Sequence, residues 1–241
     1  MQKITEAGQL TKIVTHTRRK LKKSDKPRSQ KEKVTQAAQQ RANDRRSRER
    51  LEEMLYANFT SADYFCTLTY DDAHLLTRWK YIQADVQNLI HRIRYHRGRR
   101  GDSLRYIYVI EGMHGDKRTH IHIVLNTPES GIEVYEELRA AWRGGSVDAK
   151  PLSDYETLGA VAQYLTKESM TEEGRAMKGV NAWHASRNCV KPIVKVSGSE
   201  KAPFAPPGAV ILERESRMDF TGERFNYLKF LRPANQQGEQ Q

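Results

Sequence analysis

The chain has 241 residues, of which 37% are hydrophobic and 29% charged, and its mean hydropathy is −0.80. This length allows one well-buried domain with extensions or two small domains. No segment approaches the roughly 20 apolar residues of a membrane span, and no apolar N-terminal segment resembles a secretion signal, so we expect a cytoplasmic protein without a membrane partner. For Cys66 and Cys189, a buried free thiol in a reducing cytosol is favoured over a disulfide, and two cysteines cannot form a zinc site.

Positive charge is concentrated near the start of the chain. Of the formal net charge of +11, residues 1–58 contribute +9, from 16 Lys and Arg against 7 Asp and Glu. Such clusters neutralise phosphates, so we predict a basic, largely helical or flexible extension over 1–58 that contacts nucleic acid. A solvated charged helix or tail is the alternative. The rest divides into a domain over 59–232 that ends in a hairpin and a polar tail over 233–241.

Order is predicted to begin near Tyr64. The run Tyr64–Tyr70 is β-branched and aromatic with two-residue alternation, which is typical of a strand. From Trp79, apolar residues recur at spacings of three, four and seven, as on one face of a helix. Two further strands, 104–111 and His120–Leu125, are separated by one polar loop, which favours an antiparallel hairpin.

The second half of the chain continues the mixture of helices and strands. A helix is predicted over 132–142, and Asp154 is a predicted N-cap for another helix over 155–170. Short strand-like runs occupy 146–149, 209–213 and 225–231. This order predicts an α+β domain, in which helices pack on one face of an antiparallel sheet.

A candidate metal site lies on the predicted hairpin. Alternation along the strand places His120 and His122 on one face, about 7 Å apart, so that their imidazoles can converge on one ion. Glu111 ends the preceding strand and can face the two histidines across the hairpin. The alternative is ordinary polar surface. Two nitrogens and one oxygen suit Zn²⁺ well and Mg²⁺ or Mn²⁺ less well, and they leave positions open for phosphate oxygens and water.

A candidate nucleophile lies on the last predicted helix. Tyr164 and Lys167 are three residues apart and therefore neighbours at the edge of its apolar stripe. A phenol attacks weakly unless a metal polarises the phosphate and a cation steadies the charge, a task for which Lys167 is placed. Ordinary packing is the alternative for Tyr164. Gln163 and the loop residue His114 are weaker candidates for approaching the metal.

At this point the sequence resembles the rolling-circle replication initiators and relaxases built on a histidine–hydrophobic–histidine (HUH) nuclease domain. Three motifs occur in the order of that family: the threonine-rich strand 65–70, His120-Ile121-His122 preceded by Glu111, and Tyr164-Leu165-Thr166-Lys167. The segments Trp142-Arg143-Gly144-Gly145 and Ser186-Arg187-Asn188, with Pro192, are similar to a branch encoded by phages and prophages. The resemblance covers roughly residues 62–195.

The resemblance implies a sheet of about five antiparallel strands and a single-tyrosine nickase of single-stranded DNA at a replication origin. It implies a divalent ion, Mg²⁺ or Mn²⁺, held by Glu111, His120 and His122. Attack by Tyr164 would leave a 5′-phosphotyrosine and a free 3′-hydroxyl that primes a polymerase. No second tyrosine follows Tyr164 at three or four residues, and no P-loop is present, so we expect a host helicase and polymerase as partners in a bacterial cell.

Four further residues are predicted to contact DNA: Thr67, Thr69, Arg187 and Asn188. An ordinary strand and an ordinary turn explain the same residues equally well. Trp183 and His184 are candidates for stacking on bases, with a core position as the alternative for Trp183.

Three other functions remain open at the level of the sequence. A relaxase or small transposase would use the same chemistry, whereas a non-catalytic nucleic-acid-binding protein would rely on the basic extension alone. A metal-dependent phosphodiesterase acting through activated water would form no covalent adduct. The nicked sequence, the oligomeric state and the type of genetic element, whether phage, prophage or plasmid, are not encoded in any pattern that we recognise.

Overall fold

The computed structural model describes residues 1–17, 36–112, 118–167, 182–218 and 222–233. It contains two compact units, each described here by itself. The terminal unit comprises Met1–Ala42 and Val190–Gln241, and the central unit comprises Asn43–Cys189. The loop residue His114, the predicted helix end at 168–170 and residues 234–241 of the predicted tail lie outside the described ranges. In the described part of the chain, no helix has the length and apolar composition needed to cross a membrane.

The central unit is built on a five-stranded antiparallel sheet. Its strands are β3 (Tyr64–Tyr70), β4 (Tyr106–Glu111), β5 (His120–Leu125), β6 (Gly145–Pro151) and β7 (His184–Ala185). They lie in the order β6-β3-β5-β4-β7, and every neighbouring pair is antiparallel. The predicted hairpin of β4 and β5 and the predicted α+β class are therefore confirmed.

Helices cover both faces of this sheet. Chain order gives α1 (Gln36–Asn58), α2 (Trp79–Arg99), α3 (Val134–Ala141) and α4 (Leu158–Thr166). Apolar residues of α2 and α3 pack with one face of β3, whereas α4 and the end of α1 pack with the other. The expectation of helices on one face was wrong, because Phe65 and its neighbour Cys66 are both buried, on opposite faces of β3.

The face under α1 and α4 changes from apolar to polar along the strands. At one end Phe65, Ile107 and Val124 lie side by side in the core. Further along, the strand register brings Thr67 and then Thr69 of β3 opposite the two histidines of β5. This gradient places polar side chains at the end of a packed core, where they are held firmly and partly shielded from water.

The helix that carries Tyr164 starts later than predicted. Thr157 is the N-cap of α4, since its hydroxyl accepts a hydrogen bond of 3.1 Å from the Ala160 amide. Asp154 ends a single 3-10 turn, Leu152–Asp154, in which Leu152 is buried. The assignment of Asp154 as N-cap was therefore wrong, because packing of Leu152 holds the chain in a separate turn before the helix begins.

The terminal unit contains a second five-stranded antiparallel sheet. Its strands are β1 (Gln2–Ala7), β2 (Leu10–His16), β8 (Ile193–Ser197), β9 (Val210–Met218) and β10 (Arg224–Leu231), in the order β8-β1-β2-β10-β9. The predicted hairpin of β9 and β10 is present, and it pairs with the first strands of the chain.

The start of the chain departs most from expectation. Residues 1–58 were predicted to be helical or flexible, with order beginning near Tyr64, yet β1 and β2 are strands and only 36–58 is helix. The small core of this sheet joins Ile13 to Leu228 and Phe230, more than 200 residues away. Local periodicity carries no signal for a pairing of that range, which explains the error.

Both cysteines are in the central unit and both are free thiols. Cys66 is fully buried, and burial raises the pKa of its thiol. The expectation of a buried free thiol is confirmed for this residue.

Candidate metal and nucleophile site

One carboxylate and two imidazoles converge at the polar end of the β4–β5 hairpin. Glu111 is the direct register partner of His120. Its Oε2 atom lies 3.5 Å from His120 Nε2 and 3.4 Å from His122 Nε2. Possible ligand atoms of the three residues all lie within 4.8 Å of one another. The predicted convergence of these three side chains is therefore present.

The other nitrogen of each imidazole is engaged by a neighbour. His120 Nδ1 lies 2.8 Å from the carbonyl oxygen of Arg118, and His122 Nδ1 lies 3.0 Å from the hydroxyl of Thr67. A carbonyl can only accept, so in the neutral ring His120 Nδ1 carries the proton and its Nε2 presents a lone pair. Nε2 thereby faces an anionic oxygen, an arrangement that a cation between them would stabilise.

Two buried polar atoms of this group are unsatisfied. Among the described residues, Glu111 Oε1 and His122 Nε2 have no hydrogen-bond partner, although they belong to side chains that are 10% and 2% exposed. Leaving such atoms unpaired away from water is costly. A divalent cation ligated by these atoms would remove that cost, so the donor set fits a metal ion.

The ionisation of Glu111 agrees with that fit. Burial by itself raises the pKa of this carboxyl, but hydrogen bonding and charge from His120 and His122 outweigh burial and lower the pKa to about 2. Glu111 is thus a carboxylate at neutral pH, the form that ligates a metal. Two nitrogens and one oxygen leave further coordination positions for water or phosphate oxygens.

Tyr164 lies beside this group. Its ring centroid is 5.2 Å from that of His122 and 5.7 Å from that of Phe65, and the side chain is 49% exposed. The buried residues Val161 and Leu165 hold α4 against the core, so that the tyrosine projects from the edge of the apolar stripe. An accessible phenol thus lies in contact with one of the imidazoles.

A second tyrosine, Tyr155, lies close by. The sequence suggested that it points elsewhere on the same helix, but it follows the 3-10 turn and precedes α4. Its ring is 5.5 Å from that of Phe65, which also contacts Tyr164. Burial, and then the charges of Tyr164 and Asp148, raise the pKa of Tyr155 to about 12. Sequence spacing could not find this proximity, because Tyr155 is outside the helical repeat.

The other predicted site residues divide into two groups. Lys167 is the exposed C-cap residue of α4, one turn after Tyr164, and Gln163 is exposed beside it. Thr69 lies opposite His120 in the strand register. Arg187 and Asn188 are not part of this group: the Asn188 amide donates to the Leu104 carbonyl at 3.1 Å, beyond the far end of β4 and roughly 17 Å or more from Glu111 along the strand direction.

The two candidates for base stacking also have structural contacts. Trp183 Nε1 donates to the hydroxyl of Ser47 at 3.3 Å, and its ring packs against the core beneath α1 and α4. The His184 ring stacks on Tyr108 with centroids 4.9 Å apart, and burial lowers the pKa of His184. Both side chains thus brace the edge of the sheet at β7.

Comparison with known proteins gives one match. Residues 63–169 match a family model of replication-associated proteins, the ORF2 family. The matched segment is less than half of the chain and includes the Glu111, His120, His122 and Tyr164 side chains. The match supports a role in the initiation of DNA replication. No curated protein and no solved structure matches the chain.

Proposed function

We propose that this protein is a metal-dependent endonuclease that nicks single-stranded DNA at an origin and thereby starts rolling-circle replication of a phage, prophage or plasmid. The observation that carries the proposal is the contact of the Tyr164 ring with His122, 5.2 Å between centroids, beside a buried Glu-His-His group. The match to a replication-associated family over 63–169 supports the same function. An HUH nuclease would place its nucleophile in this way.

The proposed reaction is a phosphoryl transfer to tyrosine. Glu111, His120 and His122 bind a divalent cation, Mg²⁺ or Mn²⁺, which when bound polarises a phosphate oxygen as a Lewis acid. The Tyr164 oxygen attacks phosphorus and forms a new O–P bond, and the phenolic proton passes to solvent. The bond from phosphorus to the 3′ oxygen breaks, and its electron pair remains on that oxygen, which takes up a proton.

Two side chains assist in this scheme. Lys167, one turn from Tyr164, neutralises the growing negative charge at the phosphate. Exposure of almost half of the Tyr164 side chain leaves room for a DNA strand to approach its oxygen. The free 3′-hydroxyl then primes a host polymerase, with a host helicase opening the duplex, in the bacterial cytoplasm.

Only one tyrosine acts in this scheme. A second strand transfer therefore needs Tyr164 of a second copy or reuse of the same tyrosine after release. A relaxase or transposase would use the same first step, so the proposal concerns the chemistry of the nick and then its use at an origin. A purely DNA-binding protein would gain nothing from burying an unsatisfied carboxylate beside two imidazoles.

Covalent trapping tests this proposal. Purified protein is incubated with Mn²⁺ and labelled single-stranded oligonucleotides that tile the DNA flanking its own gene, and adducts are resolved on denaturing gels. Wild-type protein and the matched control Tyr155→Phe are expected to form an adduct with a nicked strand, whereas Tyr164→Phe forms none. Nicking without any adduct, unchanged in Tyr164→Phe, would instead identify a hydrolytic phosphodiesterase.

A further inference from the structure

Thr67 has a contact that its predicted role in DNA binding does not explain. It lies on β3 directly opposite His122 of β5. Its Oγ1 atom is 3.0 Å from His122 Nδ1, and the His122 side chain is only 2% exposed. The hydroxyl therefore points along the sheet to the back of a buried imidazole, which leaves less of it available to a DNA strand.

The tautomer of His122 decides whether this ring can serve the site. Its Nε2 faces Glu111 Oε2 at 3.4 Å, whereas Nδ1 faces Thr67. A neutral imidazole ligates through whichever nitrogen lacks the proton, and the partner of the other nitrogen fixes that choice. A hydroxyl that accepts from Nδ1–H leaves the Nε2 lone pair directed at the cation position.

The two histidines are held by different kinds of partner. For His120, Nδ1 meets the backbone carbonyl of Arg118, which no side-chain substitution removes. For His122 the corresponding partner is a side chain, Thr67. The orientation of His122 is therefore the one that a single substitution can release.

We infer that Thr67 is a positioning residue of the metal centre: its hydroxyl accepts the Nδ1 proton of His122 and so directs the Nε2 lone pair toward the cation. This inference rests on the metal site of the proposed function. It differs from the DNA-contact role predicted for Thr67, because it acts without DNA and through an imidazole.

The contact is tested first without metal. Long-range ¹H–¹⁵N correlation spectra of the metal-free protein, recorded at one alkaline pH, report which nitrogen of His122 carries the proton. We expect the Nδ1–H form in wild type and in Thr67→Ser, and a loss of that preference in Thr67→Val and Thr67→Ala. The control Thr69→Val should leave His122 unchanged. An unaltered His122 tautomer in folded Thr67→Val and Thr67→Ala would overturn the inference.

Metal affinity is the second readout. Titration calorimetry with Mn²⁺ should show about 10- to 100-fold weaker binding for Thr67→Val, the usual effect of losing such a partner, with recovery to within a few-fold in Thr67→Ser. Weaker DNA binding by Thr67→Val at unchanged Mn²⁺ affinity would return Thr67 to a DNA-contact role and contradict the inference. If wild type bound no Mn²⁺, the proposed metal site would fail, while the metal-free spectra would still judge the Thr67–His122 contact.

Discussion

Two glutamates of the central unit are buried to the same degree and satisfied in opposite ways. Glu111 and Glu137 are each 8% exposed. Glu137 accepts from Arg97 Nε and Nη2 at 2.9 and 2.6 Å, and its other oxygen accepts from Arg100 at 2.8 Å. Glu111 has two imidazoles at 3.4 and 3.5 Å and one oxygen that is unpaired within the described ranges.

The comparison separates a carboxylate that serves the fold from one that serves a site. Arg97 is fully buried, and its remaining nitrogen donates to Asn126 and to the Ser103 carbonyl, so the network around Glu137 is closed. Closed networks stabilise one arrangement of the chain. The group around Glu111 is incomplete in protein atoms alone and is completed by a cation.

Removing the charge of Glu137 should have the largest effect on stability. Glu137→Gln leaves the Arg97 guanidinium buried without a counter-charge, which typically costs about 3–5 kcal/mol of the free energy of unfolding. Urea denaturation measures this loss. Glu136→Gln, an exposed neighbour on α3, should change stability by less than about 0.5 kcal/mol. Equal effects of the two substitutions would show that the network is not what stabilises α3.

Acid should reveal the opposite character of Glu111. Its pKa is about 2 in the folded protein against an ordinary value of 4.5, so the folded state favours the carboxylate. The resulting stability, up to about 3 kcal/mol, is fully present above pH 4.5 and is lost as the pH falls toward 2. Denaturation of the metal-free protein at several pH values measures it. Glu111→Gln should show a correspondingly shallower loss; an identical slope in both proteins would contradict the ionisation described here.

Metal should stabilise the protein only through the Glu111 group. At a Mn²⁺ concentration 100 times the dissociation constant, binding adds about 2.7 kcal/mol to the free energy of unfolding and raises the melting temperature. Glu111→Gln and His122→Gln should lose this rise in thermal melts. The control His96→Gln, at an exposed position on α2, should keep it. A rise that survives in His122→Gln would place the ion elsewhere.

The smallest expected effect concerns the turn after Glu111. Gly112 has a φ of +78°, and a Cβ there would collide with the Arg118 carbonyl that holds His120. Gly101 has a φ of +80° with open space around it, so it controls for backbone strain alone. Gly112→Ala should cost about 1–2 kcal/mol more than Gly101→Ala and should also weaken Mn²⁺ binding, measured by denaturation and calorimetry. Equal stability losses with unchanged Mn²⁺ affinity would contradict the role of this turn.

The sequence was informative where one local period decides the geometry. Alternation along β5 puts His120 and His122 on one face, and a hairpin brings Glu111 opposite them, so this group follows from a short stretch of chain. Helical spacing likewise places Tyr164 at the edge of the stripe of α4. Its contact with His122 needed packing of α4 on the sheet, which the resemblance supplied and periodicity did not.

The features that the sequence missed depend on contacts between distant segments. The hydrogen bond from His122 to Thr67 joins residues 55 positions apart, and threonine suits any strand. Tyr155 approaches Phe65 because a buried turn interrupts the helix that its spacing predicted. The strands β1 and β2 are completed by β10 at the far end of the chain, a pairing without a local signature.

Mass spectrometry of the protein–DNA adduct tests the central claim most directly. After reaction with Mn²⁺ and origin DNA, nuclease trimming and proteolysis, fragmentation should locate a nucleotide 5′-phosphate on Tyr164 and a free 3′-hydroxyl on the released strand. A nucleotide carried by another residue, or a cleaved strand whose 5′-phosphate is attached to no residue of the protein, would contradict the account.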